Sequence, residues 1–420
     1  MHILIEAIGT RGDVQPSIVL GKGLKAAGHQ VSVLASADFH TWIVENDLNA
    51  VTSKHNMQKF MQSDKGNEWV EQGAGNILHE LQVMRRFVWE VGSEIFDEVG
   101  AFMDGVDVVI SGLTSVFYTQ QYIRKERIPH ILLALQPTIA TRSPFATFEP
   151  FVKDRYHPLN LWAGRISYAA MWYTFGAHAA HLGTTRMGLP PETMRQAIHG
   201  FRNLPIIHAI SPLVTPHATD FPPNLHTTGY LFMDADPNWQ PSPALSAFLD
   251  QGESPIYLGF GSMGGRNVES ITQNVLTALM KSGQRGIISS GWAGLHADNL
   301  PSNIYLLTES VPHHWLFPRC RAVVHHGGAG TTAAALRAGV PQTIVPHIVD
   351  QPYWGRRVHE LGVGMKPIPR RQLTADNLQR AIEGMVTTSD LSRRADELAR
   401  AIRQENGLAN AVRVIESLVT

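Results

Sequence analysis

The sequence predicts an α/β protein made of two doubly wound, Rossmann-like parallel sheets. Three observations carry that expectation: apolar runs of strand length recur along the chain, helical patterns separate them, and a Pro-rich stretch divides the series in two. With 420 residues there is chain enough for two or three domains.

The first half opens on the apolar run Ile3 to Ile8, passes through the loop GTRGDVQ, and continues after Pro16 with Ile18, Leu20 and Leu24 on a helical pattern. Gly28 stands where a helix C-cap is expected, and Val31 to Ala35 reads as a second buried strand, completing a βαβ start. Further runs at Val106 to Ser111 and His130 to Leu135, with a helical pattern at Tyr118 to Glu126 between them, extend a parallel sheet with crossover helices. Between Pro205 and Pro255 the texture changes, because Pro212, Pro216, Pro222, Pro223, Pro237, Pro241 and Pro243 crowd a segment of little periodicity. It reads as a linker. The second half resumes the alternation with PIYLGFG, a helix near Glu269 to Ser282, GIISSG, NIYLLT, AVVHH, a helix at Thr331 to Ala338, and TIVPH. The stretch from Ala375 to Val419 is helical and mixed in charge. The expected organisation is therefore an N-terminal domain over 1–210, a linker over 211–243, a second domain over 244–400, and a C-terminal helix over 401–420 that could pack back on the first domain. Two such sheets facing one another make a cleft, and ligands of open sheets bind beyond the carboxyl ends of the strands.

Composition narrows the function. A hydrophobic share of 44% against 17% charged residues excludes a disordered chain, and 35 basic against 36 acidic side chains leave no excess for coating nucleic acid. One cysteine, Cys320, forms no internal disulfide, and no Cys/His set has zinc spacing. The start MHILIEAIG lacks the basic region of a signal peptide, and no apolar run is long enough for a membrane span. The expectation is a cytoplasmic protein, soluble or at most peripheral to a membrane.

The most informative segment is VVHHGGAGTTAAALRAGVPQTIVPHIVDQ, Val323 to Gln351. A buried strand ends in His325 and His326; Gly327, Gly328 and Gly330 then let backbone N–H groups converge, and Thr331 and Thr332 open an Ala-rich helix. Such a nest with a helix dipole behind it suits a diphosphate, with His326 as a directed donor. A tight turn beside capped core histidines is the plainer alternative. GFGSMG, with Gly259, Gly261 and Gly264, matches the dinucleotide fingerprint by letters, but the next strand ends in Ser289 and Ser290 where that fingerprint wants an acidic residue. An oxidoreductase is disfavoured; Ser262 could still touch a phosphate.

Taken together, GTRGDVQP, GFGSM, VPHHWLFPRCRAVVHHGGAGTT and VPHIVDQPYWGRRVHELGVG resemble the GT-B-fold nucleotide-sugar glycosyltransferases. The branch they resemble contains the sterol glucosyltransferases and the vancomycin-type antibiotic glycosyltransferases. The resemblance implies that His326 contacts the donor diphosphate among Gly328, Gly330, Thr331 and Thr332, and that Asp350 and Gln351 hold sugar hydroxyls. It places the backbone of Val311 at the base, with Trp292 near that pocket. Where plant members have a ribose-binding glutamate this chain has Ala334, and where they stack a tryptophan it has Ser310, so recognition of the nucleotide differs. UDP-glucose is the favoured donor, with a dTDP-sugar as the second choice.

Displacement at an anomeric carbon needs a base on one face and charge stabilisation for the leaving diphosphate on the other. Asp13, between the first strand and helix, is the candidate base; the resembled bacterial and sterol enzymes carry an aspartate there. The competing reading is a helix N-cap. Burial would raise its pKa and the helix N-terminus would lower it. Asp234 and Asp236 spell a metal-binding DxD inside the Pro-rich stretch and read as chance, so neither metal nor cofactor is expected. Aromatic residues Trp69, Phe87, Trp162 and Trp172 are candidate walls for a flat lipophilic alcohol, with core packing as the plain alternative. An amphipathic face there could equally rest on a membrane surface. The resemblance thus implies an inverting O-glycosyltransferase that moves a hexose onto a hydroxyl of a sterol, polyphenol or polyketide aglycone. A nucleotide-sugar epimerase or hydrolase, and a nucleotide-sugar-binding protein without chemistry, remain the alternatives.

Overall fold

The computed structural model describes residues 1–54, 63, 66, 77–145, 152–233, 238–260, 268–289 and 300–419. The chain forms two compact units, one of Met1–Phe60, Leu78–Met233 and Asn406–Thr420, the other of Met61–Ile77 and Asp234–Glu405.

The first unit is built on seven parallel strands: β1 His2–Ala7, β2 Gln30–Ser36, β3 Asn49–Ser53, β4 Val108–Ser111, β5 His130–Ala134, β6 Ile206–His208 and β7 Leu225–Thr227, in the order β3-β2-β1-β4-β5-β6-β7. Strand β1 sits centrally, with Ile3 paired to Val31 on one side and to Val108 on the other. It is buried from Ile3 onward, which is why the run reads as continuously apolar. The helix after it begins earlier than Pro16 suggests. It spans Arg11–Ala26, with Thr10 as N-cap and Pro16 inside, because a reciprocal capping box between Thr10 and Asp13 starts it. Val14, Ile18 and Leu24 are buried.

The Pro-rich stretch is more than a connection. Its residues Leu225–Thr227 form the edge strand β7 beside β6, where three residues are too few to show a period. The helical C-terminal stretch is three helices, Ala375–Thr387, Ser389–Arg403 and Gly407–Val419. The last of them belongs to the first unit and lies against Arg11–Ala26: a Cβ on Gly23 would come within 2.6 Å of Leu408 Cδ1. Asn410 Nδ2 donates to the Thr228 carbonyl at 3.1 Å, tying this helix to the chain beyond β7.

The second unit carries five parallel strands, β8 Ile256–Gly259, β9 Gly286–Ser289, β10 Ile304–Leu307, β11 Ala322–His325 and β12 Gln342–Ile344, in the order β10-β9-β8-β11-β12. Alternate residues of these strands feed two apolar layers. Ile256, Leu258, Ala322 and Val324 pack with Val275, Leu279, Leu378 and Ile382 on one face; Tyr257, Ile287 and Val323 pack with Leu245, Leu316 and Phe317 on the other.

Gly407 starts the last helix where a side chain has no room, since its Cβ would lie 2.2 Å from the Tyr230 carbonyl oxygen. Main chain on both sides has to give way. Gly407→Ala is expected to cost about 1–3 kcal/mol of stability, read as a lower urea midpoint at unchanged slope.

Candidate active site

In the second unit the sequence Val323 to Thr332 folds as strand, glycine turn and helix. Strand β11 ends at His325, whose ring bridges two neighbours: Nε2 lies 2.8 Å from Gln342 Oε1, and Nδ1 accepts the Gly327 N–H at 3.1 Å. Burial holds this histidine near pKa 4, so it is a neutral strut. Gly327 has φ +94 and its Cβ would approach Ile344 Cγ2 to 2.6 Å, so no other residue fits. Gly328 is the N-cap of the helix Ala329–Ala338, and no side chain caps that helix. Its first N–H groups lack partners within the helix, and at Gly330 the space is open. Thr332, by contrast, spends its hydroxyl on the Gly328 carbonyl at 2.9 Å, and Thr331 is half-buried at the helix start.

His326 leans over this helix start: a Cβ on Gly328 would lie 2.7 Å from His326 Nε2. Burial, with His325 and His313 adding to it, pushes the ring down to about pKa 3 against an opposing pull from the Gly259 main chain. At neutral pH the ring is uncharged and offers one N–H. Beside it stands His347, with ring centroids 6.4 Å apart and its pKa also depressed by burial. The buried Nδ1 atoms of both rings have no hydrogen-bond partner. Sequence reasoning passed over His347, because a lone histidine after a proline carries no spacing signal. The orphaned ring nitrogens and the uncapped helix start fit an anion of diphosphate kind.

Asp350 and Gln351 sit at the next strand-to-helix turn and are both buried. Gln351 Oε1 accepts the N–H groups of His347 at 2.8 Å and Ile348 at 3.2 Å, and Asp350 Oδ2 accepts the Trp354 indole N–H at 2.6 Å. These bonds shape the turn. Val349, just before Asp350, holds φ 54, a strained conformation for a β-branched residue that sequence does not disclose. Val311 is buried in the apolar layer around Tyr257 and Phe317. Ser262, Trp292, Trp69, Asp234 and Asp236 lie outside the described residues, as do Gly261, Gly264 and Ser290. Among the described residues no cluster of three or more His, Cys, Asp or Glu side chains could hold a metal.

In the first unit the candidate aromatic residues point different ways. Trp172 packs with Phe117, Tyr118 and Phe201, Phe87 is half-buried, and Trp162 is 58% exposed on the outside of its helix. Of these described residues, Trp162 and Trp172 face different surroundings.

Asp13 is the third residue of its helix. Its Oδ2 accepts the Thr10 N–H at 2.8 Å and the Thr10 hydroxyl at 3.3 Å; Oδ1 takes neither bond. The carboxyl presses on Gly9, where a Cβ would lie 2.2 Å from Oδ2. Burial raises its pKa to about 6 against the lowering by Thr10 and by its own main chain, so desolvation outweighs the helix start. Asp13 therefore serves as a cap and still titrates near neutrality.

A second carboxyl lies close by. Asp13, Ser17 and Glu6 share the lining of one small pocket with Gly112, Thr114 and Gln136, at the carboxyl ends of β1, β4 and β5. Glu6 is 1% exposed; Oε2 accepts the Thr119 hydroxyl at 2.6 Å, while Oε1 is buried without a partner. Burial raises it to about pKa 7, with Ser115 and Thr119 opposing. The signal was one charged letter within an otherwise apolar strand. A carboxyl whose pKa rises on folding stabilises the fold while protonated in both states and loses that contribution as pH climbs through the folded value. For Glu6, raised from 4.5 to about 7, this is on the order of 3 kcal/mol lost between pH 4.5 and 7. Glu6→Gln should flatten the fall in urea midpoint across that window and make the variant the more stable form at pH 8. An unchanged pH profile would remove the assignment.

Comparison with known proteins agrees with this architecture. Residues 3–81 match the glycosyltransferase family 28 N-terminal domain, and residues 287–416 match the C-terminal domain of erythromycin biosynthesis protein CIII-like proteins. The chain is 33% identical over 428 residues to a sterol 3-beta-glucosyltransferase of Arabidopsis thaliana, covering 98% of this chain and 65% of that protein. It is 30% identical over 425 residues to a sterol 3-beta-glucosyltransferase of Debaryomyces hansenii, covering 97% of this chain and 26% of that one. It thus spans less than two thirds of either relative. Among solved structures, the glycotransferase of kitacinnamycin superimposes with a TM-score of 0.70 at 16% identity over 100% of this chain and 99% of that one. The calicheamicin glycosyltransferase does so with 0.66 at 20% identity over 100% and 98%. Two parallel-sheet units and the superimposed structures give the chain the GT-B fold of these glycosyltransferases, and its sequence is similar to glycosyltransferases along nearly its whole length.

Proposed function

We propose that the protein is an inverting O-glycosyltransferase that moves a hexose from a nucleotide diphosphate to a hydroxyl of a lipophilic small molecule. The observation that carries this is Asp13: a carboxyl in the first turn of the helix after β1, whose pKa of about 6 leaves it ionised at neutral pH yet more basic than a free aspartate. In this reading residues 1–210 serve the acceptor and 244–400 the donor. Asp13 takes the proton of the acceptor hydroxyl as its oxygen bonds to the anomeric carbon, and the diphosphate departs on the opposite face, inverting the configuration. The uncapped helix start at Gly328 and Gly330, with neutral His326 as a donor, receives the negative charge; Asp350 and Gln351 bind sugar hydroxyls.

UDP-glucose is the proposed donor, in line with the sterol 3-beta-glucosyltransferases to which the chain is similar. A dTDP-sugar is the second choice: one structural neighbour is complexed with thymidine diphosphate and another with dTDP. A sterol heads the acceptor classes, ahead of polyphenols and polyketides. The reaction needs no cofactor or metal ion in this scheme, since main-chain amides and His326 supply the charge stabilisation. The buried lone cysteine, Cys320, suits a cytoplasmic setting.

Asp13→Asn is expected to lower hexose transfer by about 10²–10⁴-fold, read by product mass across UDP and dTDP donors and sterol, flavonoid and macrolide alcohols. Full transfer by that variant would end the base assignment. Because the base works ionised, kcat/KM of the wild type should fall as pH drops below about 6. His326→Ala should cost about 10²–10³-fold in kcat, as loss of one charge-stabilising donor does, while the helix Ala329–Ala338 stays folded by circular dichroism.

A further inference from the structure

The helix Pro158–Met171 buries Asn160, Ala163, Gly164, Ser167 and Tyr168 against the first unit. Its opposite face does not turn polar. Leu159, Trp162 and Ile166, at i, i+3 and i+7, are 51%, 58% and 55% exposed. Tyr156 before the helix and Tyr173 in the π-helical turn Trp172–Gly176 after it are exposed as well. A helix as apolar outside as inside ordinarily has its outer face covered.

The surroundings of this face are cationic and held in place. The Arg165 guanidinium lies 5.2 Å from the Trp162 ring centroid, and that of Arg85 lies 4.1 Å from the Tyr173 ring and 5.1 Å from the Trp89 ring. Arg85 also donates to the Tyr173 carbonyl at 3.1 Å. Lys153 and Arg155 enter from the preceding loop, pinned by the buried amide of Asn160. Its Nδ2 donates to the carbonyls of Lys153 at 3.2 Å and Arg155 at 2.9 Å, and its Oδ1 accepts the Lys153 N–H at 2.7 Å. Over residues 152–173 the cations are Lys153, Arg155 and Arg165, against the single carboxylate of Asp154.

Rings with one polar atom each, an aliphatic ridge and a rim of long basic side chains are what an anionic bilayer surface matches: apolar groups enter the headgroup boundary and cations meet phosphates. A second copy of the chain is a poorer occupant, because a two-fold contact would set the same cationic rim against itself. Among the described residues no helix is long and apolar enough to cross a membrane, so the geometry is that of a helix lying on it. We propose that this face rests on an anionic lipid surface, with Leu159, Trp162 and Ile166 at the headgroup boundary and Lys153, Arg155 and Arg165 on lipid phosphates. The assignment goes beyond sugar transfer and does not depend on it, because binding is read without donor or acceptor.

The test is co-sedimentation with vesicles of phosphatidylcholine alone and of phosphatidylcholine with phosphatidylserine. The wild type should sediment with the anionic vesicles and be released by salt. Trp162→Glu with Ile166→Glu should lose at least about tenfold in partitioning to them. Lys153→Glu with Arg155→Glu should lose the preference for phosphatidylserine. Circular dichroism checks that each variant is folded, which their outward positions favour. Unchanged sedimentation of the Trp162, Ile166 double variant overturns the proposal. So does a wild type that stays in the supernatant with both vesicles; concentration-dependent dimerisation abolished by Trp162→Glu would then give the face to a second copy.

Discussion

The constraint on which both units depend is the reversal of strand order in a parallel sheet. In the first unit the chain moves from β1 outward to β3 and then returns to β4 on the other side of β1; in the second it moves from β8 outward to β10 and returns to β11 beside β8. Right-handed crossovers then send neighbouring connections to opposite faces of the sheet, and the carboxyl ends of the two diverging strands are left without a covering loop. The pocket that Asp13 and Glu6 line opens between β1 and β4, and the glycine turn before Ala329–Ala338 follows β11 next to β8. Each candidate site occupies the place its sheet leaves vacant. The close approaches at Gly9 and Gly327 are consequences, because a strand that must hand its backbone directly to a helix start leaves no volume for a Cβ.

Burial acts on the titratable groups of both units in one direction, toward neutrality. It raises the carboxyls of Glu6 and Asp13 and lowers the imidazoles of His325, His326 and His347. In the proposed scheme the second unit therefore meets an anion with dipoles rather than with fixed cations: uncapped amides and an N–H on an uncharged ring. Such donors need little reorganisation when negative charge arrives, whereas a buried ammonium would have to be stabilised at all times. The hydrogen bonds of His325 to Gln342 and to the Gly327 N–H hold the turn from below, so the residue proposed to touch the anion and the residue that shapes the turn are adjacent in sequence but distinct in task.

Much of this was legible in the sequence for one reason. Parallel strands covered on both faces are continuously apolar, so β1, β2, β5 and β11 stand out, and a strand that runs into glycines and then an Ala-rich helix announces the strand, turn and helix found there. What escaped had no periodic signature. Strand β7 is three residues long among prolines, and the start of Arg11–Ala26 was hidden because Pro16 is a stronger punctuation mark than the Thr10 and Asp13 pair that sets it. The strain at Val349 is a backbone property that no side chain announces. The aromatic letters between Trp162 and Phe175 show that rings are present but not which way they face. Trp162 meets solvent while Trp172, at the π-helical turn Trp172–Gly176, packs inward.

Asp13 shows why a cap and a base are compatible in one residue. A carboxylate that closes a capping box is held in its charged form by the N–H and hydroxyl it accepts, and a carboxyl away from water is driven to its neutral form. At this strand end the two demands nearly cancel, leaving a pKa of about 6. In the proposed reaction the group takes a proton in each cycle and has to give it up before the next. Protonated, it is a poorer partner for Thr10, and the helix start favours its release; ionised, it lacks full solvation, and its environment favours taking a proton from an alcohol whose oxygen is turning acidic. A purely structural aspartate on the surface would have the first demand without the second. The missing side chain of Gly9 leaves room for that carboxyl, since a Cβ there would lie 2.2 Å from Oδ2.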